Sequence, residues 1–203
     1  MNPVKQALSA FKNNWKESLW LGAAATIYTY FAQLLPMIGA LFISLGLLIF
    51  QEIVNKWMKT GRWSMDLTHL KNHWVAFVLI SIVLMPTGIL LGSAFGLLES
   101  PQSEWQNIPL SFALFILGIY FYFILAHAFS FSIETTKSVA KAIDSTAIVS
   151  MKRYKIYLPT AFFMSLIFML AGFLRGLGLV IALPLLFFSS AVIYQDVRSL
   201  LKN

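Results

Sequence analysis

Six stretches of this chain are too apolar to sit in water, and they bound every fold open to it. They run at about 19–34, 38–55, 74–98, 109–133, 156–174 and 177–195. Crossing the hydrocarbon of a bilayer takes a helix of about 20 apolar residues, and only a helix satisfies its own backbone there. Of the 203 residues 59% are hydrophobic and 11% charged, whereas a soluble domain carries about 25% charged residues. Such a chain has too little polar surface to stand in water alone. The expected fold is an all-α integral membrane protein. The longest run, Leu19 to Phe50, exceeds one ordinary span and is interrupted chiefly by Gln33 and Pro36. Pro36-Met-Ile-Gly39 predicts a turn between two short helices, and one kinked, tilted helix is the alternative.

A repeat organises these stretches. Leu8-Ser-Ala-Phe-Lys-Asn-Asn-Trp15 recurs as Leu67-Thr-His-Leu-Lys-Asn-His-Trp74, and a worn copy runs Ile148-Val-Ser-Met-Lys-Arg-Tyr-Lys155. Each copy precedes an apolar stretch. Val4, Leu8, Phe11 and Trp15 fall on one helical face while Lys5, Lys12, Asn13 and Lys16 point elsewhere, the pattern of a helix lying in the membrane interface. The reading is three hairpins, each preceded by a basic amphipathic helix, with pseudo-repeats 3–55, 62–133 and 140–197 inside one membrane domain, 1–203. Three such units can pack around a pseudo-threefold axis. Convergence stays open, because any interfacial helix favours Leu, Lys and Trp.

Charge then gives an orientation. The net charge is +7 and the pI about 9.7, but the cations lie beside apolar spans, so anionic lipid rather than nucleic acid is the expected partner. With six spans and both termini on one side, every Lys and Arg except Arg175 falls on that side. The positive-inside rule makes it cytoplasmic. Trp15, Trp20, Trp57, Trp63, Trp74, Tyr154, Tyr157 and Tyr194 gather near this inner boundary, and Trp105 near the outer one. The amino terminus lacks a cleavage pattern, so no signal peptide is expected. Without cysteine, disulfides and thiol chemistry are excluded.

Lys12, Lys71, Lys152, Arg153 and Lys155 are the candidate ligands for lipid headgroups, each contributing roughly 1 kcal/mol near an anionic leaflet. The same charges can equally serve to set topology alone. Gly88, Gly92 and Gly96 form a smooth stripe along the third span, suited to close packing within the chain or to a seam between copies. Asp66, His69 and His73, at i, i+3 and i+7, have the spacing of a metal-binding face. They lack a visible fourth ligand, so a solvated face is expected and neither metal nor cofactor is predicted. His127 and Gln33 stand inside spans, where polar groups are costly. A proton relay would want a partner acid there, and no Asp or Glu is expected to be well buried in any span. No GxSxG, HExxH, phosphate-binding Gly-rich loop or paired intramembrane carboxylates occur, so no enzyme is expected.

The carboxy-terminal third carries Ala140-Lys-Ala-Ile-Asp-Ser145 leading into a basic patch, then Gly172, Gly176-Leu-Gly178, Pro184 and Tyr194-Gln-Asp196. These residues resemble a loose group of bacterial six-helix inner-membrane proteins of unknown function, themselves similar to the membrane domain of some glycerophosphodiester phosphodiesterases. The resemblance implies a bacterial cytoplasmic membrane. It does not carry the phosphodiesterase activity over, because the catalytic domain is absent from the sequence. The functional expectation is a non-enzymatic component that binds anionic lipid and organises membrane or an unidentified membrane partner, as a homo-oligomer. The alternative is a transporter or channel for a small or lipidic solute, for which the breaks at Pro36, Pro86 and Pro184 are the warrant.

Overall fold

The computed structural model describes residues 3–35, 38–64, 68–99, 107–135, 138–174 and 177–202. Among these residues the chain is all-helical, without a strand. In order the helices are α1 (Pro3–Asn13), α2 (Trp15–Gln33), α3 (Gly39–Thr60), α4 (Thr68–Asn72), α5 (Trp74–Glu99), α6 (Asn107–Thr135), α7 (Val139–Lys152), α8 (Tyr154–Phe173) and α9 (Leu179–Lys202). Each apolar stretch forms a helix of nearly the expected length. The run from Leu19 to Phe50 belongs to two helices, α2 and α3, which pack against each other. A single kinked helix is thereby ruled out.

Among the described residues five helices, α3, α5, α6, α8 and α9, are long and apolar enough to cross a membrane. This is the make-up of a multi-pass membrane protein. α2 does not join them by composition: Lys16 and Glu17 occupy its first turn, and Gly-Ala-Ala-Ala replaces larger apolar residues at 22–25. The peripheral faces of α5 and α8 expose Val75, Leu79, Ile82, Phe162, Leu166 and Leu170. An exposed face of that kind belongs in lipid, not water.

Between each short helix and the next long one the helix is interrupted at a single residue, at Asn14, His73 and Arg153. Asn14 (φ −129°, ψ 45°) and Arg153 (φ −108°, ψ 25°) leave helical geometry, and the Asn14 side-chain amide donates to the Ala10 carbonyl at 3.1 Å. An aromatic residue follows every interruption: Trp15, Trp74 and Tyr154, respectively 54%, 63% and 52% exposed. Aligning the interruptions therefore sets Tyr154 opposite Trp15, one residue away from the register read off the sequence, which set Lys155 there. The sequence pairing followed the lysines; the backbone follows the aromatic after the break.

The packing has a cyclic order. α2 lies on α9, α5 on α3 and α8 on α6, while α2–α3, α5–α6 and α8–α9 also pack as neighbours. α3, α6 and α9 touch one another at the centre. Taken in threes, each set's first long helix rests on the last helix of the set before, and the third set precedes the first.

Lipid offers no hydrophobic drive to bring helices together, so small residues and close contacts decide. Pro184 has no N–H to give the Val180 carbonyl. That oxygen instead points at α2, where a Cβ on Gly22 would lie 1.9 Å from it. Further along the bundle, Phe95, Phe115 and Phe168 interlock α5, α6 and α8, with ring centroids 4.9 Å apart for Phe95–Phe115 and 5.9 Å for Phe115–Phe168. Such aromatic pairs contribute about 0.5–1.5 kcal/mol each beyond the area they bury.

Candidate functional site

The five candidate headgroup ligands stand at or beside the interruptions. Lys12 and Lys71 lie in the last turns of α1 and α4, Lys152 ends α7, Arg153 is the interruption itself, and Lys155 lies in the first turn of α8. All five are exposed. Among the described residues none of them has an ion-pair partner. Among the described residues, Lys155 shares a cavity with another cation.

That cavity is a groove of about 540 Å³ between α1 and α8. Lys5 and Lys155 line it together with Val4, Leu8, Ile156, Pro159 and Phe163. Two cations from helices remote in sequence thus share one cleft with apolar walls. A phosphate fits the first feature and an acyl chain the second. Lys5 was missing from the expected set because it precedes the repeated octapeptide, and no spacing within α1 points to α8.

The glycine stripe divides. Gly88 is buried against α3, where an added Cβ would make ordinary contact with the Ala40 carbonyl at 3.6 Å. Gly92 and Gly96 have nothing within 4 Å of that position. They line a cleft of about 360 Å³ with Thr29, Tyr30 and Gln33 of α2, with Leu179 among its other lining residues. α2 and α5 do not pack on each other, so this cleft opens between them.

A further polar site was not expected at all. Along the central trio, Tyr122 donates to Gln51 Oε1 at 2.6 Å. Gln51 Nε2 donates to Asn55 Oδ1 at 2.9 Å and to the Phe187 carbonyl at 3.3 Å. Asn55 Nδ2 donates to Ser130 Oγ at 2.7 Å and lies 3.4 Å from Glu52 Oε2. Gln51, Asn55 and Ser130 are buried, and Glu52 is 8% exposed, which corrects the expectation that no acid is well buried in any span. In sequence, Gln51, Glu52 and Asn55 stand at the edge of the second apolar stretch. Their burial follows from α6 and α9 closing over that turn of α3.

At the basic end of the trio, Glu134 of α6 accepts from Lys59 of α3 and from Arg198 Nε of α9, the latter at 2.6 Å. One carboxylate therefore ties the ends of all three central helices. His127 is equally enclosed. Its Nε2 lies 2.9 Å from the Ser190 carbonyl, which can only accept, so the proton sits on Nε2. Nδ1 then accepts from the Tyr157 hydroxyl at 2.9 Å. The neutral ring has both nitrogens satisfied, which is a structural role.

Asp66, the first of the three residues with metal-binding spacing, lies outside the described residues. Among those described, no group of three His, Cys, Asp or Glu residues stands together as a metal site. Set against family models, curated proteins and solved structures, the chain matches none. The geometry alone therefore carries the functional argument. It offers a basic groove with apolar walls, an open cleft at Gly92 and Gly96, and a buried, hydrogen-bonded polar core.

Proposed function

We propose that this chain is a six-span protein of a bacterial inner membrane that binds anionic phospholipid at its basic end and organises membrane or a partner. The observation that carries the reading is the meeting of Lys5 and Lys155 in the α1–α8 groove. The headgroup phosphate sits between the two ammonium groups, and an acyl chain follows Leu8 and Phe163. α2 serves as the sixth span, since 19 residues reach about 28 Å at 1.5 Å per residue, close to the hydrocarbon thickness. Both termini then lie on the cytoplasmic side with the cations, a setting that suits the six-helix proteins the carboxy-terminal third resembles. A second copy of the chain fits the open cleft at Gly92 and Gly96.

Replacing Lys5 and Lys155 by Gln, and in a second variant also Lys12, Lys71, Lys152 and Arg153, tests the reading. Preference for liposomes or nanodiscs rich in phosphatidylglycerol should fall with the first variant and disappear with the second. Undiminished preference in both abandons it.

A second reading, a transporter or channel for a small solute, draws on the polar core around Gln51, Glu52 and Asn55. Its test is dye-reported proton flux across proteoliposomes. Flux above that of empty vesicles that disappears in Glu52→Gln favours transport, and flux equal to empty vesicles removes protons from the candidate solutes.

A further inference from the structure

We propose that a second groove, between α2 and the return of the chain after α3, binds an amine-bearing phospholipid headgroup of the phosphatidylethanolamine type; this rests on the lipid-binding reading above. The groove encloses about 370 Å³ and is lined by Glu17, Trp20, Leu21, Ala24, Trp63 and Ser64, with Phe50 and Ile53 of α3.

Its construction starts at Gly61, which caps α3 with a left-handed φ of 68° and donates to the Trp57 carbonyl at 2.8 Å. Glycine takes that conformation without a Cβ penalty. The chain turns back there, and Trp63 stacks on Trp57 with ring centroids 5.0 Å apart. Trp63 and Ser64 are thereby laid over the start of α2.

This groove is the counterpart of the basic one. Counted from the interruptions at Asn14, His73 and Arg153, Glu17, Trp20, Leu21 and Ala24 stand in α2 where Ile156, Pro159, Thr160 and Phe163 stand in α8. By the same count, Trp63 and Ser64 stand where Val4 and Lys5 stand in α1. Two grooves of the same build therefore recur, and their chemistry is reversed.

Ser64 replaces Lys5. Lys16, the counterpart of Lys155, lies over the Trp15 ring at 5.6 Å and is not among the residues lining the groove. The groove's remaining charge is the Glu17 carboxylate, exposed and without an ion-pair partner among the described residues. A second observation is independent of that charge: the Trp63 indole N–H is buried and has no hydrogen-bond acceptor among the described residues. A ligand that answers both brings a cation for Glu17 and an acceptor oxygen for Trp63. An ethanolamine phosphate has the two side by side, and the exposed Trp20 ring favours the ammonium further. A net-anionic headgroup meets repulsion from Glu17 instead.

Native mass spectrometry of the full chain, released from nanodiscs with equal phosphatidylethanolamine and phosphatidylglycerol, tests this. Glu17→Gln should lower retained phosphatidylethanolamine by about fivefold to tenfold, the worth of one solvent-exposed polar contact, and leave phosphatidylglycerol unchanged. Trp63→Phe, which keeps the stack and removes the N–H, should act in the same direction. Lys5→Gln with Lys155→Gln should do the reverse. If both Glu17→Gln and Trp63→Phe retain phosphatidylethanolamine at the wild-type level, the second groove is not its site, whatever the lysine variant does. If only the lysine variant leaves both lipids unchanged, the basic groove fails and the second groove stands.

Discussion

His127 illustrates how a costly residue inside a membrane helix becomes structural. Removing its ring leaves the Tyr157 hydroxyl and the Ser190 carbonyl without their partner, and each orphaned buried group costs roughly 1–3 kcal/mol. His127→Ala should therefore lower the thermal unfolding midpoint sharply, while His127→Gln, which can still donate to Ser190, recovers part of the loss. A variant as stable as wild type would mean that the ring bonds contribute nothing net. The sequence exposes such a residue but not its partners. His127, Tyr157 and Ser190 sit on three different helices, so no spacing along the chain links them. The same holds for Lys5 with Lys155, and for Gln51 with Tyr122. The burial of Glu52 has a related reason: a polar turn at the end of an apolar run is enclosed by neighbours that no spacing reveals.

Helices were more legible than sites. Their limits follow from composition, since apolar runs and polar gaps alternate at lengths a bilayer dictates. What composition cannot supply is which glycine is tight. Gly22 and Gly92 look alike in sequence, each within an apolar helix. Gly22 faces the Val180 carbonyl that Pro184 leaves free, whereas Gly92 faces open space. Gly22→Ala should cost about 1–3 kcal/mol by overpacking and loosen α2 from α9. Gly92→Ala should be neutral or stabilising by up to about 1 kcal/mol, from helix propensity alone. Thermal unfolding of the two variants in one detergent separates them, and equal losses would refute the contrast. A size change in Gly92→Leu without a loss of stability would place a second copy at the cleft.

At the scale of the whole molecule, the order of packing was not legible in the repeat, although the repeat hinted at three units. Sequence similarity between segments says nothing of which unit rests on which. The ring of contacts, α2 on α9, α5 on α3 and α8 on α6, has a topological consequence. Around a closed ring no unit is first, so the place where the chain is cut is free to move. α1 rests on α9 as α7 rests on α6, and only residues 136–138 join α6 to α7. A comparably short glycine–serine linker should then connect the end of α9 to the start of α1. The chain can be opened instead between α6 and α7, and every helix would keep its direction within the bundle. Such a permuted chain should insert, fold and keep the Glu134 clasp across α3, α6 and α9. A permutant that is made but unfolds well below the wild-type midpoint would mean that the ring is closed in shape alone.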